Sequence, residues 1–136
     1  MTLSLVKLCV GCDTVDDLLE WWRARGGGDA PWKMHTRQTP KRAEELIEGG
    51  SLYRVYRGFI LSRQAILAVD TVGEGVARHC EVTLSHDVVL VEPTPRRAFQ
   101  GWRYLERKDA PKDLGSVSPE AAPPELARRL KEIGAW

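Results

Sequence analysis

The chain of 136 residues lacks long apolar runs, and its longest mainly apolar stretches are Leu3 to Val10 and Val88 to Val91. A helix that crosses a bilayer needs about 20 consecutive apolar residues, so neither stretch predicts a membrane span. The first residues also lack the basic stretch, the long apolar region and the small-residue cleavage site of a secretory signal. These absences favour a cytoplasmic protein that has no membrane partner.

Cysteine is scarce as well, with three residues in the whole chain. An odd number of cysteines in a chain without a secretory signal argues against a disulfide framework and predicts reduced thiols. The sequence also has no internal repeat and no low-complexity tract. With 43% hydrophobic and 29% charged residues, the composition is typical of a soluble globular protein. Length and composition together predict one domain that buries its own core.

The sequence begins with a pattern typical of a strand followed by an amphipathic helix. The strand is predicted over Leu3 to Val10, and the helix begins after an N-cap at Asp13 or Thr14. Glycines at 26–28 end this helix. Its apolar stripe, at i, i+3, i+4 and i+7, consists of Val15, Leu18, Leu19 and Trp22.

A second helix follows a loop or short strand that is predicted over residues 29–38. Thr39 is its predicted N-cap, Pro40 takes the first helical position, and Gly49 lies just past the end. The predicted buried face consists of Ala43, Leu46 and Ile47.

From Leu52 onward the apolar residues alternate with period two, which predicts strands. Turn residues at Gly58, Gly73, Gly75 and the Ser85-His86-Asp87 cluster break the run. The predicted strands are Leu52 to Arg57, Ile60 to Thr71, Val76 to Leu84 and Val88 to Glu92, the last ended by Pro93 and Pro95, with a further strand within Arg96 to Leu105. Lys108 to Pro119 has the composition of a polar linker, and Pro124 opens a short terminal helix.

This order predicts an α+β fold: a small, strongly bent, mostly antiparallel sheet or pseudo-barrel with two N-terminal helices and a short C-terminal helix. A parallel doubly wound sheet is excluded by the run of strands in the second half, because that fold alternates strands with helices. Residues 1–115 form the predicted α+β domain. Residues 116–136 are predicted to be a linker and a helix that packs on the same domain.

Basic and aromatic residues are concentrated between Lys33 and Asp70, although the net charge of the chain is only +1. A similar mixture recurs from Arg96 to Tyr104. Such clustering is typical of a surface that binds phosphate, where cations neutralise the backbone and aromatic rings stack on bases. The candidate nucleic-acid-binding residues are Arg37, Lys41, Arg42, Tyr53, Arg54, Arg96, Arg97, Trp102 and Arg103. The alternative is that the aromatic residues are core and the arginines are solvated or paired with neighbouring glutamates.

The block also resembles, in its order of elements, the ASCH and EVE members of the PUA-like superfold. The resemblance lies in a helix ending in glycines, the string Lys33-x-x-Thr36-Arg37, a second helix, the glycine-led segment Gly50 to Val55 and the strand Ala65 to Asp70. It implies a pseudo-barrel with a cleft that holds a base, and therefore RNA or a modified nucleotide as partner. The strings K-L-C-V-G-C, T-P-K-R-A-E-E-L, G-G-S-L-Y and F-Q-G-W-R-Y-L are similar to an uncharacterised family of small alphaproteobacterial proteins. That second resemblance implies no activity.

An enzymatic alternative also comes from the resemblance. ASCH-type amidohydrolases carry a Lys and a Thr at the spacing of Lys33 and Thr36, which implies that this lysine activates the hydroxyl while Glu74 or Glu81 carries the proton. The string that follows Lys33 is M-H-T-R-Q, whereas those enzymes have T-I-R-D. We therefore favour binding over catalysis.

The remaining candidate chemistry concerns the cysteines and the end of the chain. Cys9 and Cys12 form a C-x-x-C at a strand end, which is typical either of a reactive dithiol or of a glycine-containing turn with a buried thiol. A zinc site would need these two thiols with His79 and Cys80, an adjacent pair that is awkward for tetrahedral ligation. We expect no metal and no cofactor. A second alternative function is protein–protein interaction through the terminal helix, whose apolar residues are Leu126, Leu130, Ile133 and Trp136.

Overall fold

A mixed, mostly antiparallel sheet organises the chain. The computed structural model describes residues 2–25 and 31–117, together with Arg128. Its strands are β1 (Leu3–Leu8), β2 (Trp32–Thr36), β3 (Ser51–Tyr56), β4 (Phe59–Val72), β5 (His79–Leu84), β6 (Val88–Pro95), β7 (Trp102–Glu106) and β8 (Asp113–Val117), and its helices are α1 (Val15–Ala24) and α2 (Ala43–Ile47). Short 3-10 turns occupy Gly75–Ala77 and Arg107–Asp109. The predicted α+β class and the mostly antiparallel sheet are confirmed.

The long strand β4 is the centre of the sheet. Its first half pairs along one edge with β3, through a tight hairpin in which Arg57 and Gly58 both have positive φ, 48° and 89°. Two successive residues with positive φ are typical of the type I′ turn that matches strand twist. Gly58 is favoured there because it has no side chain to strain.

The other edge of β4 pairs with β5 and then with β6 in one continuous antiparallel path. The register runs from Val72↔His79 to Phe59↔Pro95. The Ser85-His86-Asp87 cluster lies midway along this path and interrupts it without reversing the chain, because the Ser85 amide donates to the Ala65 carbonyl of β4 at 2.9 Å. The predicted break is therefore confirmed, and it is a bulge between collinear strands.

Four strands complete the sheet on its outer edges. β1 pairs with β3 in parallel and with β7 antiparallel, while β2 pairs with β5 and β8 with β6. The longest path of paired strands runs β2-β5-β4-β3-β1-β7. No pairing joins its two ends within the described residues, so the sheet is open there.

Helix α1 covers one face of the sheet with the predicted apolar stripe. Leu18 and Leu19 are buried in one core cluster with Leu5 and Leu52. Thr14 is the N-cap: its hydroxyl accepts from the Asp17 amide at 3.1 Å, while the Asp17 carboxylate accepts from the Thr14 amide at 3.2 Å. Such a capping box is worth about 1 kcal/mol. The glycines expected to end this helix lie outside the described residues.

The start of α2 differs from the prediction. Thr39 is not its N-cap, because the helix begins after Arg42, which makes no side-chain capping bond. The Thr39 hydroxyl instead forms a 2.7 Å hydrogen bond with the hydroxyl of Thr71 on β4. Pro40 is buried ahead of the helix, so it fixes the approach of the chain to the sheet rather than the first helical turn.

The buried face of α2 is also narrower than predicted. Leu46 is fully buried, whereas Ile47 is 42% exposed, contrary to the prediction. A helix of five residues has little more than one turn, and in α2 the side chain of this turn that enters the core is Leu46. Just beyond, Gly50 lies so close to the backbone carbonyls of Leu3 and Leu46 that no Cβ would fit.

Two further strand boundaries, the start of β5 and the end of β6, were predicted wrongly. β5 begins at His79 rather than Val76, because Gly75–Ala77 forms a 3-10 turn. β6 continues through Pro95, and Pro93 falls in an irregular stretch between the pairs Ser62↔Leu90 and Ile60↔Thr94, where no ladder N–H is required.

The predicted linker Lys108 to Pro119 contains β8, which pairs with β6. The predicted boundary between residues 115 and 116 therefore falls inside a strand. The predicted terminal helix from Pro124 lies outside the described residues. Within the described part, the helices are too short and too polar for any of them to cross a bilayer.

Candidate functional site

Arg37 follows the end of β2 and lies where two clefts adjoin. The first, which we call the Arg103 cleft, has a volume of about 400 Å³ and is lined by Thr36, Arg37, Gln38, Gln100, Gly101, Trp102 and Arg103. The second, the Arg78 cleft, also has about 400 Å³ and is lined by Arg37, Thr39, Thr71, Gly75, Arg78 and His79. Arg37 is the residue that lines both.

The two clefts carry uncompensated positive charge. Within residues 2–25 and 31–117, no acidic side chain lines either cleft. Among the described residues, no carboxylate forms an ion pair with Arg37, Arg78 or Arg103. Since surface arginines commonly pair with nearby carboxylates, three unpaired guanidinium groups around adjoining clefts form a surface suited to an anion.

Trp102 is the aromatic residue of the Arg103 cleft and is held in place from two sides. Its indole N–H donates to the Gln38 carbonyl at 3.1 Å, and its ring meets Tyr104 edge to face at 5.0 Å between centroids. These contacts fix a half-buried ring beside Arg37 and Arg103. A fixed ring beside guanidinium groups can stack on a planar base.

Other predicted binding residues lie near these clefts but are partnered. The Arg42 guanidinium donates to both Glu45 carboxylate oxygens and lies 5.6 Å from the Tyr104 ring centroid. Hydrogen bonding to the Glu45 carboxylate raises the pKa of Arg42. Lys41 is exposed and lines neither cleft.

The Phe99 ring lies close to Arg103 and to one more of the predicted cations, Arg96. The guanidinium carbons of Arg96 and Arg103 lie 5.4 and 5.2 Å from its ring centroid, within cation–π range. Arg97 is exposed beside them. This cluster extends the positive surface from the Arg103 cleft towards the end of β6.

Tyr53 and Arg54 are not part of this surface. Tyr53 is 6% exposed and belongs to a core cluster, and burial raises the pKa of its hydroxyl. Arg54 lines a separate cleft and donates to the Gln64 side chain at 3.2 Å. The structure therefore brings together Arg37, Trp102 and Arg103 and separates them from the residues predicted on β3.

Lys33 and Thr36 are also kept apart. They are three positions apart on β2, so strand alternation places them on opposite faces of the sheet. The Lys33 amine instead donates to the Thr83 hydroxyl at 2.9 Å and lies 3.3 Å from a carboxylate oxygen of Glu81. The hydroxyl within reach of this lysine is thus Thr83, which directly opposes it in the β2–β5 register.

The three cysteines do not form one site, because the Cys9 and Cys12 side chains interact with each other and Cys80 lies elsewhere. Cys9 and Cys12 line the same cleft as Arg54, whereas Cys80 is buried on β5. Burial raises the pKa of Cys9 to about 12, so its thiol stays protonated and weakly reactive at neutral pH. Within residues 2–25 and 31–117 and at Arg128, no group of three or more His, Cys, Asp or Glu residues is arranged to hold a metal ion.

Sequence reasoning missed Arg78 as a binding candidate. It follows the Gly75–Ala77 turn, well outside the two basic blocks, and reaches Arg37 only because β2 pairs with β5. Gln38 and Gln100 lie in the strings M-H-T-R-Q and F-Q-G-W-R-Y-L, but neither has the charge or the aromatic ring by which the binding candidates were chosen.

Comparisons with known proteins assign a family but no activity. The family model described as a protein of unknown function (DUF1489) matches residues 5–136, and the chain belongs to this family. No curated protein and no solved structure matches it.

Proposed function

We propose that this member of the DUF1489 family is a small binding module for RNA or a nucleotide-like anion. The observation that carries the proposal is the pair of adjoining clefts around Arg37, in which Arg78 and Arg103 are also unpaired. Phosphates would occupy the positions between these guanidinium groups, and a base would stack on Trp102. The protein would act in the cytoplasm, where its free thiols stay reduced.

Two features suit RNA better than an isolated phosphate. The clefts share Arg37, so a chain with successive phosphates can contact both, whereas one phosphate ion contacts one. Gln38 and Gln100 add amide groups that can donate to and accept from base edges. Single-stranded segments, whose bases are free to stack on side chains, fit this combination best.

The proposal includes a PUA-like relationship. It is supported by the order of elements, in which α1, β2 and α2 precede a run of antiparallel strands, and by the glycine-led β3. In this relationship the mixed sheet would be the wall of a pseudo-barrel. The binding surface would lie at the end of β2.

The test is direct binding of fluorescently labelled single-stranded RNA, and of nucleoside monophosphates, at low salt. We expect saturable RNA binding that Arg37→Gln weakens by about tenfold, the loss expected for one charge-assisted contact. Lys108→Gln is the matched control, because Lys108 is exposed, lines neither cleft and pairs with Glu106. If RNA and nucleotides show no binding at low salt, where counterion release makes affinity greatest, the proposal fails.

A second candidate function, hydrolysis of a modified nucleoside, is favoured by the contacts of Lys33 with Thr83 and Glu81. A lysine, a hydroxyl and a carboxylate in contact can activate a nucleophile. With acylated nucleosides as substrates, Thr83→Ala should abolish turnover while Thr36→Ala leaves it intact. Turnover that survives Lys33→Ala or Thr83→Ala would rule this function out.

A further inference from the structure

A different cleft, between the start of β2 and the β1–α1 connection, has the features of a small-molecule site. Its volume is about 340 Å³. It is lined by Cys9, Cys12, Trp21, Trp32, Met34 and Arg54, among others, and we call it the Trp32 cleft. A pocket of this size, mostly apolar and with a few polar groups, is typical of ligand sites.

Two buried N–H groups of the residues that line the Trp32 cleft lack partners. Trp32 is 2% exposed, and neither its indole N–H nor the Nε–H of Arg54 has a hydrogen-bond partner among the described residues. The guanidinium carbon of Arg54 lies 5.9 Å from the Trp32 ring centroid, so the two groups are neighbours. A buried donor without an acceptor is costly, and two in one place point to an acceptor that completes the site.

The charge of the cleft favours an anion with one negative charge. Lys33, His35 and Arg54 line it, and no acidic side chain of the described residues does. Glu81 lies 3.3 Å from the Lys33 amine and 3.6 Å from His35, and so offsets these two groups. Arg54 donates to the neutral Gln64 side chain and interacts with the Cys9 thiol, and no carboxylate of the described residues forms an ion pair with its guanidinium group. A doubly charged phosphate would lose more solvation on entering an apolar cleft than a carboxylate does.

The aromatic residues that line the Trp32 cleft favour a ligand with a flat, apolar part. Trp21 lines the cleft with 45% of its surface exposed, and Trp32 stacks on Trp22 with 4.3 Å between ring centroids. Because Trp32 is almost fully buried, an aromatic ring of a ligand would lie on the exposed Trp21 ring, whose centroid is 6.5 Å from that of Trp32. Burial keeps the nearby Cys9 thiol protonated, since its pKa rises to about 12, so the thiol is part of the apolar lining and does not repel an anion.

We propose that the Trp32 cleft binds a small aromatic monocarboxylic acid. The carboxylate accepts hydrogen bonds from the Trp32 indole N–H and from Arg54 Nε–H, and the aromatic ring lies against Trp21. This site is independent of the proposed RNA surface, because none of the residues around Arg37 lines it.

The proposal is tested with 2-naphthoate as the probe and its neutral amide, 2-naphthamide, as the matched ligand. Calorimetric titration of the full chain should show saturable binding of the acid and at least tenfold weaker binding of the amide. Saturable binding of the acid with equal binding of the amide, or no binding of either, would overturn the carboxylate assignment.

Two variants test the donors themselves. Trp32→Phe keeps an aromatic ring but removes the N–H, and Arg54→Lys keeps the charge but removes Nε–H; each should weaken 2-naphthoate binding by about tenfold. Trp102→Phe is the matched control, because the Trp102 indole donates to Gln38 in the other cleft. Thermal unfolding confirms that each variant is folded. If Trp32→Phe does not fold, Arg54→Lys and the amide comparison decide, and unchanged affinity in Arg54→Lys would refute the proposal.

Discussion

The salt dependence of RNA binding gives the sharpest quantitative test of the surface around Arg37. Each phosphate that a cation contacts releases counterions from the nucleic acid, so the logarithm of the binding constant falls linearly with the logarithm of the salt concentration. The structure supplies three unpaired cations at the adjoining clefts: Arg37, Arg78 and Arg103. Arg42 is excluded from this set because Glu45 already neutralises it.

The expected slope follows from this number. At about 0.7 per phosphate contact for a single strand, three contacts give a slope of about −2, so raising salt from about 50 to about 200 mM weakens binding about 20-fold. Neutralising one arginine, as in Arg37→Gln, should change the slope to about −1.4, so the same increase in salt should weaken RNA binding only about sevenfold. Lys108→Gln should leave the slope unchanged, because this lysine lines neither cleft.

Fluorescence anisotropy with a labelled single-stranded RNA, titrated at several salt concentrations, measures these slopes. Arg78→Gln and Arg103→Gln should each make the slope less steep, as Arg37→Gln does, because the proposal assigns one phosphate contact to each of the three arginines. The reasoning is refuted if replacing all three arginines leaves the slope unchanged, since binding would then depend on other cations.

Three further predictions concern stability and thiol reactivity. Gly50→Ala should lower the free energy of unfolding in urea by about 3 kcal/mol or more, because its Cβ would overlap the Leu3 and Leu46 carbonyls. Gly49→Ala, with open space but a φ of +89°, should cost only about 1 kcal/mol, and a larger loss at Gly49 would contradict this account. The Arg63 guanidinium lowers the pKa of Asp113. The Arg63–Asp113 ion pair therefore stabilises the folded protein above the ordinary aspartate pKa of about 4. This stabilisation is lost as the pH falls through the lowered pKa of Asp113 in the folded protein. Because the Asp113 side chain is 48% exposed, Asp113→Asn should lower the free energy of unfolding by about 1 kcal/mol or less at neutral pH and not at all in acid. Urea unfolding that shows the same difference between variant and native protein at both pH values would argue against this account. In Cys12→Ser/Cys80→Ser, native Cys9 should react with iodoacetamide at pH 7 at least about 100-fold more slowly than in urea, and equal rates would show that its thiol is not protected.

The parts of the fold that depend on local patterns were predictable. The stripe of α1 and its Thr14 cap follow from spacing and hydrogen-bonding chemistry within a few residues. The period-two strands after Leu52 follow from alternation alone. The start of α2 was predicted wrongly because Thr and Pro also occur where a chain packs on a sheet. Thr39 bonds with Thr71, which is far along the sequence, so no local pattern indicates this contact.

The candidate site depended on pairings that local patterns do not specify. Arg78 joins Arg37 because β2 pairs with β5, and the parallel pairing of β1 with β3 brings Cys9 towards Arg54, with the Cys9 amide donating to the Val55 carbonyl at 2.9 Å. Both pairings join segments distant in sequence. The basic block therefore predicted a cationic surface, but it did not predict which cations lie together on that surface.

Strand β2 explains why one basic and aromatic block divides into two sites. Its first residues, from Trp32 to His35, line the Trp32 cleft, and its end leads into Arg37 and the other two clefts. Only β5 pairs with it in the described residues, so its unpaired edge leaves room for the first cleft beside α1. Residues that form one block in the sequence therefore line different clefts, because they lie at different positions along this edge strand. In the two proposals, Arg37 at its end contacts phosphates, and Arg54 beside its start contacts the ligand of the apolar cleft.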